Sequence, residues 1–212
     1  MVPGSDPMAP RAPGLFLLLV MLGAAGSAQA EPATWTAATG SGRIEVHVYK
    51  RGLLSGLAHD HHFSATAWRA TAVLDPAEPG LARVEVVVEA GSLRDQQAAL
   101  SEQERDEVNG RAAGPETLDA ARYPEIRFVA DRLDGDLIGT LSMHGVSRPL
   151  RVPVQATREG ERWRVKGAAR IKQSEFGIEP YSGFAGTVAV HDEVVIEFEL
   201  LMGLAPPPAP PP

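Results

Sequence analysis

The chain of 212 residues holds 27 acidic and 20 basic side chains, a formal charge of −7. That mild acidity excludes the Lys- and Arg-rich surfaces that nucleic acids and anionic membranes attract. With 21 glycines, 18 prolines and 6% aromatics, many turns are expected rather than a helical bundle.

Cysteine is absent, so there is no disulfide framework, no thiol nucleophile and no lipid-bearing Cys. Stability has to come from a core, which a mature chain of about 180 residues can supply.

The first thirty residues read as a targeting segment. Arg11 precedes an apolar run from Leu15 to Leu22, and small residues follow, ending Ala28-Gln29-Ala30. A basic start, an apolar stretch and an A-x-A site form the pattern of a secretory signal peptide. The run is shorter than the roughly 20 residues that a bilayer-spanning helix needs. Cleavage near Ala30, a periplasmic or secreted location and no stable membrane insertion are therefore expected, with an uncleaved anchor as the competing reading. Residues 31–203 then form one domain, and the proline-rich residues 204–212 a disordered tail.

Alternation of period two dominates the domain. Arg43–Lys50 sets Ile44, Val46 and Val48 against Arg43, Glu45, His47 and Tyr49. A long strand over His61–Leu74 follows, with Phe63, Ala65 and Ala67 sharing a face. Arg83–Ala90 opposes Val84, Val86 and Val88 to Arg83, Glu85 and Glu89. Ile126 and Phe128 alternate with Glu125 and Arg127, and Leu137, Gly139, Leu141 and Met143 share the next face. Leu150, Val152 and Val154 oppose Arg151, Pro153 and Gln155. Trp163, Val165, Gly167, Ala169 and Ile171 oppose Arg162, Arg164, Lys166 and Arg170. Val194, Ile196, Phe198 and Leu200 close the series against Glu193, Glu197 and Glu199.

Eight strands, each with one apolar face, exclude a parallel sheet buried on both sides. Leu133-Asp134-Gly135-Asp136 and Arg158-Glu159-Gly160-Glu161 are short, polar, glycine-containing hairpin turns. The fold class is all-β, an antiparallel barrel or a sandwich. A barrel of about eight strands has room for one small ligand.

Ser101–Asn109 and Pro115–Ala121 break the alternation. Ser101-x-x-Glu104 matches a capping box, and Pro115 suits the first turn of a second helix. Two short helices are thus expected between the third and fourth strands, as a lid or a plug at one end.

Three segments occur in order: Leu118-Asp119-Ala120-Ala121-Arg122-Tyr123-Pro124-Glu125-Ile126-Arg127-Phe128, Gly139-x-Leu141-x-Met143-x-Gly145-Val146-Ser147-Arg148-Pro149-Leu150, and Ile171-Lys172-Gln173-Ser174-Glu175-Phe176-Gly177-Ile178. Together they resemble signature stretches of the YceI-like family of exported lipid-binding proteins, over roughly residues 34 to 202. The resemblance implies an eight-stranded, lipocalin-like antiparallel barrel. It also implies a small apolar ligand: an isoprenoid, a quinone-like molecule or another long lipid. In such a barrel the first strands would line the site with Val46, Val48, Phe63, Val86 and Val88. The later ones would add Phe128, Leu141, Val152, Trp163, Ile171, Phe176, Ile196 and Phe198. Gln173 stands where the family often has Arg.

A second departure is Leu57-Ala58-His59-Asp60-His61-His62-Phe63. Alternation puts His59 and His61 on the face of Phe63, near the barrel mouth. Two His at i and i+2 can chelate a divalent metal, with Asp60 or His144 as a further ligand. Metal or haem ligation by His59, His61 and His62, in a stress or electron-transfer module, is the alternative function. A contact to a ligand headgroup and a plain structural role are the other readings.

No G-x-S-x-G elbow, P-loop, dinucleotide fingerprint or H-E-x-x-H helix occurs. Glu102, Glu104, Asp106 and Glu107 share their segment with Arg105 and Arg111 and read as a solvated face. A carrier is expected rather than an enzyme. Whether two barrels pair as a homodimer, and whether the loop Tyr181–Gly186 is a mobile flap, stay open.

Overall fold

The computed structural model describes residues 32–52, 59–75, 78, 80–183 and 187–206. The expected signal peptide, the tip of the expected flap and most of the proline-rich tail lie outside them.

Strands with one apolar face bury it fully, and leave no sheet edge, when the sheet closes on itself. Here β1 (Ala33–Ala38) and β2 (Gly42–Arg51) form one kinked wall strand, since both pair with β12 (Val188–Leu204). β3 (His61–Ala65) passes through a two-residue bend into β4 (Trp68–Leu74). β5 (Leu81–Glu89) leads through a short 3-10 turn into β6 (Leu93–Asp95). Counting each couple as one, they are joined by β7 (Glu125–Asp134), β8 (Asp136–Met143), β9 (Val146–Glu159), β10 (Arg162–Lys172) and β12. Every neighbouring pair is antiparallel, and β1 meets β12 to close the ring. The barrel of the two sequence alternatives is the one formed. A short arm, β11 (Ser182–Gly183), adds to β12.

The register makes the inner face continuous. Ile196 sits opposite Val46 and Ala169, and Val86 opposite Ala70 and Phe128. The buried core draws on every wall, including Ile44, Trp68, Leu141, Val152 and Ile171. On the outside, Arg164 donates two hydrogen bonds to Glu159 and one to Glu199. These bonds hold both carboxyls below the usual glutamate range and strengthen the charged guanidinium. The hairpin from β8 to β9 turns on His144 (φ 50°) and Gly145 (φ 74°), the left-handed pair that a two-residue hairpin requires.

One helix, α1 (Glu102–Ala113), forms where a capping box was expected. Ser101 Oγ accepts from the Glu104 N–H, while the Glu104 carboxylate accepts from Ser101 N–H at 2.8 Å. The second expected helix does not form. Gly114 is extended (ψ 172°), Asp119 is left-handed (φ 44°), and residues 115–118 are turns that bury Leu118. α1 follows β6 and precedes β7, so it lies outside β3 and β4 as numbered here, but between the third and fourth walls once coupled strands are counted as one. The bend at Thr66–Ala67 divides the long strand expected over 61–74, and residues 33–38 and 93–95 add strands whose alternation is too short to read.

Candidate functional site

All the expected lining residues carried by strands lie on inward register positions, and they divide by burial. Phe63, Val88, Leu141, Val152 and Ile171 are sealed at 4–8% exposure. Phe176 is sealed too, in the 3-10 turn Gln173–Phe176 below β10. Val46, Val48, Val86, Phe128, Trp163, Ile196 and Phe198 are only half-buried although they pack against the core. The register turns this apolar surface inward, and part of it stays within reach of solvent. At one end Trp35 meets Trp163 edge to face at 6.4 Å, a favourable aromatic geometry.

The wall parts on one side. β9 pairs with β10 only from Val154 to Glu159, against Arg162–Gly167. Beyond that, Val146–Pro153 pairs with β8 alone and β10 continues against β12. A cleft of about 560 Å³ lies where the strands separate, with Pro153, Val154, Lys166, Gly167 and Phe198 among its walls. Its remaining walls, among them Arg43, Glu45, Gln155, Glu197 and Glu199, face outward, so the cleft opens on the outer surface beside the inner-face residues Val154 and Phe198. Gly167 is required there: a Cβ would come within 2.4 Å of Phe198 Cζ and 2.6 Å of the Pro153 carbonyl oxygen.

The other end carries the polar groups. His61 is on the inner face opposite Val48, and its Nδ1 donates to Asp95 Oδ2 at 2.5 Å. Asp95 is 1% exposed. Its other oxygen accepts the Gln97 N–H at 2.7 Å, and its own N–H donates to Asn109 of α1 at 2.8 Å. That bond engages Nδ1 and leaves the second ring nitrogen, Nε2, free of Asp95. The helix packs Val108 and Ala112 against the core, and Arg111 lies 4.6 Å over the Tyr181 ring. This end is therefore capped by side chains from α1 and from the segment before β11.

The expected histidine cluster does not assemble. Strand alternation sends His61 inward and His62 outward, while His59 and Asp60 are exposed. Asp60 is used locally: its carboxylate accepts the Lys50 N–H at 2.8 Å and its carbonyl the Gln97 side chain at 2.9 Å. His144 lies apart from the cluster, donating from Nδ1 to the Phe176 carbonyl at 3.1 Å and meeting the edge of Tyr123. Gln173, where the family often has Arg, is buried and donates to the His191 carbonyl at 3.0 Å. His62 instead meets His47 of β2, its direct cross-strand partner, and both rings lie near Glu45. Asp95 and His47 were not singled out from sequence. An acidic residue at an apolar register position was the one available signal for Asp95, and His47 had none without knowledge of which strand lies beside β2.

Among the described residues, no helix is long and apolar enough to cross a membrane. Curated relatives named UPF0312 protein, from Pseudomonas savastanoi pv. phaseolicola and Pseudomonas syringae pv. syringae, are 27% identical over 129 residues, or 55% of this chain. The match spans 63% of the length of those relatives. Among solved structures, Burkholderia cenocepacia BcnA superposes with a TM-score of 0.59 at 22% identity, over 76% of this chain and 95% of that one. That likeness concerns the fold. The family model of the YceI-like domain matches residues 35–202, almost the whole described barrel, and the chain belongs to the YceI-like domain family.

Proposed function

We propose that this protein is an exported carrier that holds a long apolar molecule, an isoprenoid or quinone-like chain, in its barrel without transforming it. The observation that carries this reading is the half-buried inner face, with Val46, Val86, Phe128 and Ile196 presenting apolar surface inside the wall. Each buried CH₂ is worth about 0.8 kcal/mol, so one five-carbon unit contributes roughly 4 kcal/mol before ordering costs. His61, held by Asp95, is the polar group beside this surface and suits a hydroxyl or similar headgroup donor. Export rests on the basic, apolar and A-x-A pattern of residues 11–30.

Native mass spectrometry of protein taken from the exported compartment, followed by denaturing extraction, tests both parts. The expected result is a chain beginning at Glu31 with an isoprenoid or quinone mass released on denaturation. A barrel that carries no apolar mass and fails to take up added polyprenol or quinone refutes the carrier reading. A chain retaining residues 1–30 inside the cell refutes export.

A further inference from the structure

We infer that the outer face of the barrel carries a divalent-metal site of the zinc type, built by Glu45, His47 and His62 with Glu197 as a fourth donor. The residues come from three adjacent strands. His47 stands opposite His62 across β2 and β3, and Glu45 stands opposite Glu197 across β2 and β12. One donor atom from each of Glu45, His47 and His62 lies within 4.8 Å of the others. The Glu197 carboxylate is 3.7 Å from His47 Nε2.

Two further observations single this cluster out from an ordinary polar surface. The imidazoles of His47 and His62 stack at 4.4 Å between centroids, 19° from parallel. Both Nε2 atoms are shielded from solvent and have no hydrogen-bond partner. The nearest carboxylates, at 3.5 and 3.7 Å, are beyond hydrogen-bonding range. A buried ring nitrogen without a partner is costly, and a cation accepting both lone pairs would satisfy the two at once. Tetrahedral zinc with bonds of 2.0–2.2 Å needs donors about 3.4 Å apart, which side-chain rotation can provide. Arg43 Nε lies 3.5 Å from Glu45 Oε2, leaving Oε1 turned to His62. Two imidazoles select against magnesium and calcium, which take oxygen donors, and two carboxylates balance a dication. The site lies on the outer face of the wall, with Glu45 and Glu197 also bordering the cleft between β9 and β10.

The test is zinc titration of the untagged barrel against a chromophoric chelator, with cobalt(II) absorption as a second readout of coordination geometry. One zinc per chain with a dissociation constant of micromolar or below is expected, with a four-coordinate cobalt spectrum. His47→Gln and His62→Gln should each weaken binding by more than about 100-fold, since even residues that only support a ligand cost 10–100-fold. His59→Ala should leave it unchanged. Circular dichroism confirms that the variants are folded, and their uptake of an apolar probe should match the parent. No binding below about 100 μM, or affinity retained in the His47→Gln/His62→Gln double variant, overturns the site and leaves the carrier reading untouched.

Discussion

Asp95 offers the sharpest energetic test of the capped end. Its carboxylate is buried at 1% exposure and depends on two partners, His61 Nδ1 at 2.5 Å and the Gln97 N–H at 2.7 Å. His61→Ala removes the side-chain partner and strands the carboxylate. Taking one member from a fully buried pair costs about 3–5 kcal/mol. The His61 side chain is 22% exposed, so water can enter the vacated space, and a cost near the lower end, about 3 kcal/mol, is expected. Asp95→Asn in the His61→Ala background removes the stranded charge and should restore about 1.5 kcal/mol. With a urea m-value of about 2 kcal/mol/M, the single variant should unfold about 1.5 M earlier than the parent and the double variant about 0.7 M earlier. The assay is equilibrium urea unfolding of all four members of the cycle. A loss under about 0.5 kcal/mol for His61→Ala, or additive single effects, would refute the coupling.

Four further outcomes follow from the same geometry. Gly167→Val should lower stability by about 1–3 kcal/mol, because its Cβ meets the Pro153 backbone and the Phe198 ring; an unchanged melting temperature would show that the strands part freely. Val86→Trp fills the half-buried lumen beside Ala70 and Phe128 and should cut apolar-probe binding at least tenfold with the fold intact; undiminished binding would move the ligand elsewhere. Arg111→Ala removes the contact over Tyr181, worth about 0.5–1 kcal/mol, and should speed ligand release two- to fivefold in stopped-flow exchange; an unchanged rate would exclude this end as the gate. Glu159 and Glu199, beside Arg164, and Asp192, bonded by the Ser174 hydroxyl, titrate below their ordinary values when folded. Their stabilisation is therefore complete above the unfolded carboxylate range near pH 4 and is lost as pH falls through the depressed folded values. The melting temperature should drop below about pH 4, more gently in Arg164→Gln; an identical acid slope in that variant would show that the pairing contributes nothing.

The walls of the barrel were legible because inside and outside alternate residue by residue, as in Ile44-Glu45-Val46-His47-Val48 and Val194 to Leu200. A period-two pattern does not report bends, which is why 61–74 read as one strand and Ala33–Ala38, mostly alanine and threonine, did not register. The capping box at Ser101 was legible because it is a local hydrogen-bond exchange. Pro115 was a local cue without a local outcome, since Gly114 and Asp119 take conformations that end a helix on either side. The site was harder to read for the same reason. Alternation correctly separates His61 from Glu45 and His47, yet adjacency in sequence suggested that His61 and His62 act together. Which residues meet across strands depends on register, which single-strand patterning leaves unspecified.

The parting of β9 from β10 bears on how the barrel breathes. Over Val146–Pro153 there is no ladder to β10 to unzip, and Pro149 and Pro153 bring no N–H of their own to that stretch. Widening the gap therefore forfeits none of the 0.5–1.5 kcal/mol that each ladder hydrogen bond holds elsewhere in the wall. What resists is the ladder end at Val154 and Gly167, the Phe198 ring beside that glycine, and the hydrogen bond from His144 to the Phe176 carbonyl. The wall thus has one stretch held by contacts rather than by a ladder, and the barrel can give there before its paired strands do.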